Sequence, residues 1–101
     1  MNEYLDEWEN LVDELSEKEI ALYEWKHVYN VKADEIVANT NFKELYGANN
    51  QRVRDKHVQE QLVDWHDIIV ELEFSIDWII RRISFLREMV HWETTIKEGK
   101  K

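Results

Sequence analysis

The sequence predicts an all-α fold, an antiparallel hairpin of two long amphipathic helices joined by a short helical connector and assembling into a dimeric bundle. The 101 residues contain no proline and only two glycines, which disfavours a turn-rich β fold. Charged residues make up 35% and hydrophobic residues 44% of the chain, as expected for helices with charged outer faces. Hydrophobic residues also recur at steps of three and four, which is helical spacing. We expect one helical domain over residues 1–101.

The first helix is predicted over about residues 3–38. Its apolar stripe alternates steps of four and three and is interrupted only where Lys18 and Lys32 occupy it. The stripe consists of Tyr4, Trp8, Leu11, Leu15, Leu22, Trp25, Tyr29 and Ile36. Leu5, Val12 and Ala33 lie one position beside it and widen the face enough for packing in a globular domain.

The connector is predicted over about residues 39–49, where capping and helix-breaking residues are concentrated. Asn41 stands at a helix N-cap position and Gly47 at the position that follows a helix, so we expect a short helix between them. Asn49 or Asn50 is then expected to cap the second long helix.

The second helix is predicted over about residues 50–98, and we expect it to be continuous over residues 58–90. Its apolar stripe alternates steps of four and three without interruption over nearly five heptads. The stripe consists of Val58, Leu62, Trp65, Ile69, Leu72, Ile76, Ile79, Ile83, Leu86 and Val90. At 1.5 Å per residue such a helix is about 70 Å long.

A second apolar face lies on the opposite side of this helix, at about 140° to 200° from the stripe. It is formed by Phe74, Trp78, Phe85, Met89 and Trp92, here called the aromatic ridge. The same side is acidic before the ridge, at Glu60, Asp64, Asp67 and Glu71. Exposed aromatic patches of this size usually mark an interface. We expect the ridge to form a homodimer; the alternatives are a different protein, or coverage by the chain's own first helix.

Arginines accompany the ridge, and two of them belong to the predicted interaction site. These are Arg81 and Arg82, with Arg87 nearby. They are expected to stack on Trp78 or Trp92, or to pair with acids such as Glu88 and Glu93, rather than to bind phosphate.

The charge of the chain is −9 and is concentrated at its start. Residues 1–24 contain nine acids and one lysine, a local charge of −8. The predicted acidic face consists of Glu3, Asp6, Glu7, Asp13, Glu14 and Glu17. Such a field repels nucleic acid and suits a basic protein surface. A basic run over residues 51–57 opens the second helix against its dipole, so we expect it to bind the acidic helix of the same or another chain or, as the alternative, a nucleic-acid phosphate.

No residue pattern predicts catalysis, a cofactor or a metal site. The chain has no cysteine, and its four histidines lack metal-ligand spacing. Carboxylates three apart, such as Asp64 with Asp67 and Glu14 with Glu17, resemble those of all-helical, magnesium-dependent nucleotide pyrophosphohydrolases. Asp64 and Asp67 point away from the apolar stripe, so we expect no enzyme and keep this reaction as the alternative.

No secretory signal or membrane span is predicted. The first residues are acidic where a signal peptide is basic and then apolar, and no window approaches about 20 apolar residues. We therefore expect a soluble, cytoplasmic protein.

The segments at residues 40–47, 50–58 and 73–77 resemble small, uncharacterised phage and prophage proteins of Gram-positive bacteria. They read TNFKELYG, NQRVRDKHV and EFSID, and the resemblance extends over about residues 15–98. It implies a cytoplasmic accessory protein encoded among genes for recombination and replication. The expected function is therefore contact with phage or host proteins of DNA metabolism. The alternative is an acidic inhibitor that mimics DNA and blocks a host nuclease or other defence enzyme.

Overall fold

The computed structural model describes the backbone of residues 3–99 and the side chains of residues 3–96. It contains four helices, α1 (Glu3–Asn39), α2 (Phe42–Tyr46), α3 (Gln51–Gln61) and α4 (Val63–Gly99). The described residues are 93% helical and include no strand, which confirms the all-α class. No helix within residues 3–99 is both long enough and apolar enough to cross a membrane.

The second long helix is interrupted at Leu62, which corrects the expectation of one unbroken helix. Leu62 has φ −114° and ψ 30°, and it separates α3 from α4. The hydrogen bonds continue through the interruption, because the Leu62 amide donates to the Val58 carbonyl at 2.9 Å and His66 donates to Leu62 at 2.9 Å. Leu62 is only 6% exposed, so its side chain keeps its place in the apolar stripe. The stripe predicts side-chain burial, and it does not fix the backbone angles of one residue.

The structure divides into two compact units, of which the first comprises Met1–Ala21 and Leu72–Lys101. Three buried residues form its core: Leu11, Ile79 and Leu86. Tyr4, Trp8, Leu15 and Ile83 pack around them and remain partly exposed. Each of these seven residues belongs to one of the two predicted apolar stripes. The stripes therefore meet each other in this unit, where they bury a small core.

The second unit comprises Leu22–Glu71. Its buried residues are Phe42, Val58, Leu62 and Ile69. The rings of Trp25 and Trp65 pack with centroids 5.1 Å apart, and Tyr29 lies 6.4 Å from His66. Lys32 places its ammonium group 4.8 Å from the centroid of Trp65. Lys32 interrupts the predicted stripe, and this cation–π contact lets a lysine occupy that position.

The connector has the caps that its sequence predicts. The Asn41 side chain accepts a hydrogen bond from the Glu44 amide at 3.2 Å, and Asn50 accepts one from Val53 at 3.0 Å. Gly47 ends α2 in the left-handed region at φ 72°, which residues with a Cβ rarely adopt. The short helix and its two asparagine caps are confirmed.

The side chains of the predicted apolar stripes are buried or half-buried, and most of the positions expected to widen the first stripe are exposed. Every position of the stripe from Val58 to Val90 is buried or half-buried. Of the three positions expected to widen the face of the first helix, Leu5 and Val12 are 38% and 46% exposed, whereas Ala33 is half-buried. The three-and-four spacing of the stripes therefore predicted which side chains pack, and the expected widening of the first stripe was a weaker guide.

Candidate interaction surface

The aromatic ridge lies on the outside of α4 and is largely uncovered. Phe74 is 72% exposed, Trp78 59%, Phe85 43% and Trp92 60%, while Met89 is half-buried. These values include the other described helices of the chain, so α1 does not cover the ridge. The alternative of coverage by the first helix is wrong for these four aromatic residues.

A groove of about 440 Å³ borders the first part of the ridge. It is lined by Glu14, Lys18, Phe74, Ser75, Trp78 and Ile79. The Lys18 ammonium lies 3.9 Å from the Glu14 carboxylate, so this wall of the groove carries both charges. The exposed ring of Trp78 therefore lies in the same groove as the charged side chains of Glu14 and Lys18. Such a combination of an apolar surface and a charged edge is typical of protein interfaces.

The arginines beside the ridge have other partners than the predicted ones. Arg81 pairs with Asp77 at 3.1 Å on the surface, where both side chains are more than half exposed. Arg82 is turned toward α1, where its guanidinium binds Glu7 through two hydrogen bonds and lies 5.0 Å from the Phe85 ring. Arg82 therefore contacts the ridge from the side that faces α1, whereas Arg81 is exposed beside it. Arg87 is also exposed and lines a groove with Glu88 and Trp92.

The acidic face of α1 is mostly exposed, with one exception. Glu3, Asp6, Asp13, Glu14 and Glu17 are exposed, whereas Glu7 is half-buried against Arg82. Glu14 also borders the groove beside Trp78. The face therefore presents five carboxylates to solvent.

A second apolar groove lies along α1 and was not predicted as a site. It measures about 530 Å³ and is lined by Leu5, Trp8, Glu9, Val12 and Asp13. The signal for it in the sequence is the position of Leu5 and Val12 beside the stripe, which we interpreted as core.

A groove in the second unit is lined partly by residues of the basic run. It measures about 510 Å³, and Asp34 and His66 line it together with Arg54. The Arg54 guanidinium donates to Gln51 at 3.1 Å, and Gln51 donates to Asp55 at 2.7 Å. Arg54 therefore has a hydrogen-bond partner within the run, while the side chains of Arg52 and Lys56 remain exposed.

Two of the four histidines, His57 and His66, have ring contacts within the second unit. His57 Nδ1 lies 2.6 Å from the hydroxyl of Tyr46, and the His57 ring meets the Phe42 ring edge-on at 5.4 Å. This contact fixes α2 against α3. His27 and His91 are exposed, and so are the acids of the outer side at positions 60, 64, 67 and 71. Within the described residues, no group of three or more His, Cys, Asp or Glu side chains is placed to hold a metal ion.

Comparison of the chain with models of known protein families, with curated proteins and with solved structures gives no match. The surface is therefore interpreted from its own geometry and charge.

Proposed function

We propose that this chain is a non-enzymatic interaction protein, a helical hairpin whose protein-binding surface is the aromatic ridge of α4. The observation that carries the proposal is the exposure of Phe74, Trp78, Phe85 and Trp92. Tryptophan and aromatic residues dominate the binding energy of interfaces because they bury much apolar area with few rotatable bonds. Because four exposed aromatic residues lie on one side of one helix, a protein-binding surface is the simplest explanation of that side.

We further propose a phage accessory protein that acts in the cytoplasm of its host on proteins of DNA metabolism. The support is the resemblance of residues 40–47, 50–58 and 73–77 to small phage proteins. The charge of −9 supports a protein rather than a nucleic acid as the direct partner, because the long-range field repels phosphate backbones.

The test is affinity capture from a lysate of a Gram-positive bacterium with matched baits. The ridge bait carries Trp78→Gln and Trp92→Gln. The control bait carries Ile20→Gln and Tyr23→Gln, which are 58% and 76% exposed and lie on α1. We expect the wild-type and control baits to retain the same protein and the ridge bait to lose it. Equal capture by all three baits would contradict the proposal.

A second candidate function is inhibition of a nucleic-acid-binding enzyme by the acidic face of α1. The specific observation is that five carboxylates of that face point to solvent within the first five turns of one helix. Carboxylates three or four residues apart on a helix are about 5–6 Å from each other and form a negative stripe that a basic groove can bind.

The two functions differ in the residues they need and in their response to salt. A bait with Asp6→Asn, Asp13→Asn and Glu17→Gln removes three exposed charges and leaves the ridge intact. If the acidic face mimics DNA, this bait loses its partner, and wild-type binding weakens steeply with ionic strength. Binding that survives both changes assigns the partner to the ridge.

A further inference from the structure

The outer side of α4 carries a second heptad stripe that includes the four aromatic residues of the ridge. Its positions are Phe74, Trp78, Arg81, Phe85, Glu88 and Trp92, here called the outer stripe. They follow one another at steps of four, three, four, three and four, and all six side chains are exposed. Residues spaced in this way form the seam along which two helices pack.

We propose that the occupant of the outer stripe is the same stripe of a second copy of this chain, running antiparallel. This inference rests on the proposed function, since it names the partner of the same surface. The spacing of the outer stripe is symmetric about position 83, because the steps from residue 74 to residue 92 have the same order in both directions. Two copies related by a two-fold axis there place Phe74 opposite Trp92 and Arg81 opposite Phe85 of the second copy.

The charges of the outer stripe favour this arrangement over the parallel one. In the antiparallel pair Glu88 of one copy lies opposite Trp78 of the other, one turn from Arg81, so two Arg81–Glu88 ion pairs form across the axis. In a parallel pair with residues in register, Arg81 faces Arg81 and Glu88 faces Glu88, which is repulsive. The surface ion pair of Arg81 with Asp77 offers little resistance, since both side chains are largely exposed and such pairs contribute little.

The amount of exposed surface agrees with a dimer. A buried aromatic side chain covers about 150–250 Å², so the exposed parts of the four ridge aromatics provide on the order of 500 Å². A standard interface needs about 800 Å² from each partner, and Arg81, Glu88 and Met89 supply further area. Among the described residues of the first unit, the buried core cluster consists of three, and small units of this kind often gain stability from a partner.

The surface is also the right shape for a helix. From Phe74 to Trp92 the outer stripe is about 27 Å long at 1.5 Å per residue, and it is one side chain wide. A second long helix contacts all of it, whereas a compact pocket encloses only one or two of its rings.

The first experiment is a charge exchange measured by sedimentation equilibrium from about 1 μM to about 500 μM. We expect wild-type chains to dimerise in this range, and Arg81→Glu or Glu88→Arg to raise the dimer dissociation constant at least about tenfold. The chain with both changes restores the ion pairs and returns to within about threefold of wild type. Arg52→Glu and Glu73→Arg make the same charge changes at exposed positions outside the outer stripe, and leave dimerisation unchanged.

The second experiment measures the direction of the helices. The chain has no cysteine, so Thr95→Cys carries a single spin label on an exposed position of α4. Two labels in the antiparallel dimer are about 36 Å apart, and in a parallel dimer about 10 Å. A short distance, or a double charge variant as weak as the single ones, overturns the proposed pairing. So does a wild-type chain that stays monomeric throughout the range.

These results separate the inference from the function on which it rests. A monomeric wild-type chain whose ridge bait still loses a captured protein overturns self-pairing and leaves the ridge as a contact surface for another protein. A dimer that responds to the charge exchange supports self-pairing even when the three baits capture the same proteins.

Discussion

Arg82 on α4 binds Glu7 on α1 through two hydrogen bonds, although the two residues are 75 positions apart in the chain. The Arg82 Nε donates to Oε2 at 2.9 Å and Nη2 donates to Oε1 at 3.1 Å. This forked geometry holds both side chains in one orientation beside the core of the first unit. It also removes Arg82 and Glu7 from the surfaces to which the sequence assigned them.

The Glu7–Arg82 pair is expected to couple the two helices measurably. Glu7→Gln and Arg82→Gln should each lower the free energy of unfolding, and a double-mutant cycle should give a coupling of about 0.5–1 kcal/mol. The pair is part-exposed, which keeps the value modest. Urea unfolding followed by circular dichroism measures it. The Glu14–Lys18 pair, at 3.9 Å, is the control, and a coupling there as large as the first would contradict the role given to forked geometry.

Leu86 is expected to be among the most sensitive positions of the first unit. It is 0% exposed, so Leu86→Ala leaves a cavity and should lower the free energy of unfolding by about 2–5 kcal/mol. Ile80 on the same helix is 49% exposed, and Ile80→Ala should change stability by about 0.5 kcal/mol. Equal losses in thermal or urea unfolding would show that Leu86 is not packed as described.

Gly47 is expected to tolerate asparagine better than alanine. Its φ of 72° is strained for a residue with a Cβ, while no atom lies within 4 Å of a Cβ placed there. The cost of Gly47→Ala is therefore a backbone cost, about 1–2 kcal/mol. Asparagine adopts this conformation more readily, so Gly47→Asn should cost less. Unfolding free energies of the two variants test this, and an alanine variant as stable as wild type would contradict it.

The sequence predicts the helices well where a side chain acts locally. Asn41 and Asn50 cap helices through backbone amides three residues away, so the residue types alone indicate where α2 and α3 begin. The apolar stripe from Val58 to Val90 also predicts burial, because its period is that of the helix itself. The interruption at Leu62 has no such signal, since the neighbouring sequence contains neither glycine nor proline.

The sequence predicted which residues form the candidate site, and it predicted less well which partners their neighbouring arginines contact. The side of α4 that carries Phe74, Trp78 and Trp92 follows from helical geometry, and the structure leaves these rings exposed. Arg81 meets Asp77 on its own helix, whereas the acid that Arg82 meets depends on the packing of two distant segments. Arg82 therefore reaches Glu7, while the sequence suggested acids on its own helix.

Lys32 is expected to stabilise the second unit through the ring of Trp65. Its ammonium lies 4.8 Å from the ring centroid, and its side chain is half-buried in a position that the apolar stripe assigns to a hydrophobic residue. Lys32→Gln removes the cation and should lower the free energy of unfolding by about 0.5–1 kcal/mol, whereas Lys32→Arg keeps a cation over the ring and should cost less. Lys26→Gln, at an exposed position of α1, controls for the loss of one positive charge. Urea unfolding that gives equal losses for Lys32→Gln and Lys26→Gln would show that the contact with Trp65 does not stabilise the unit.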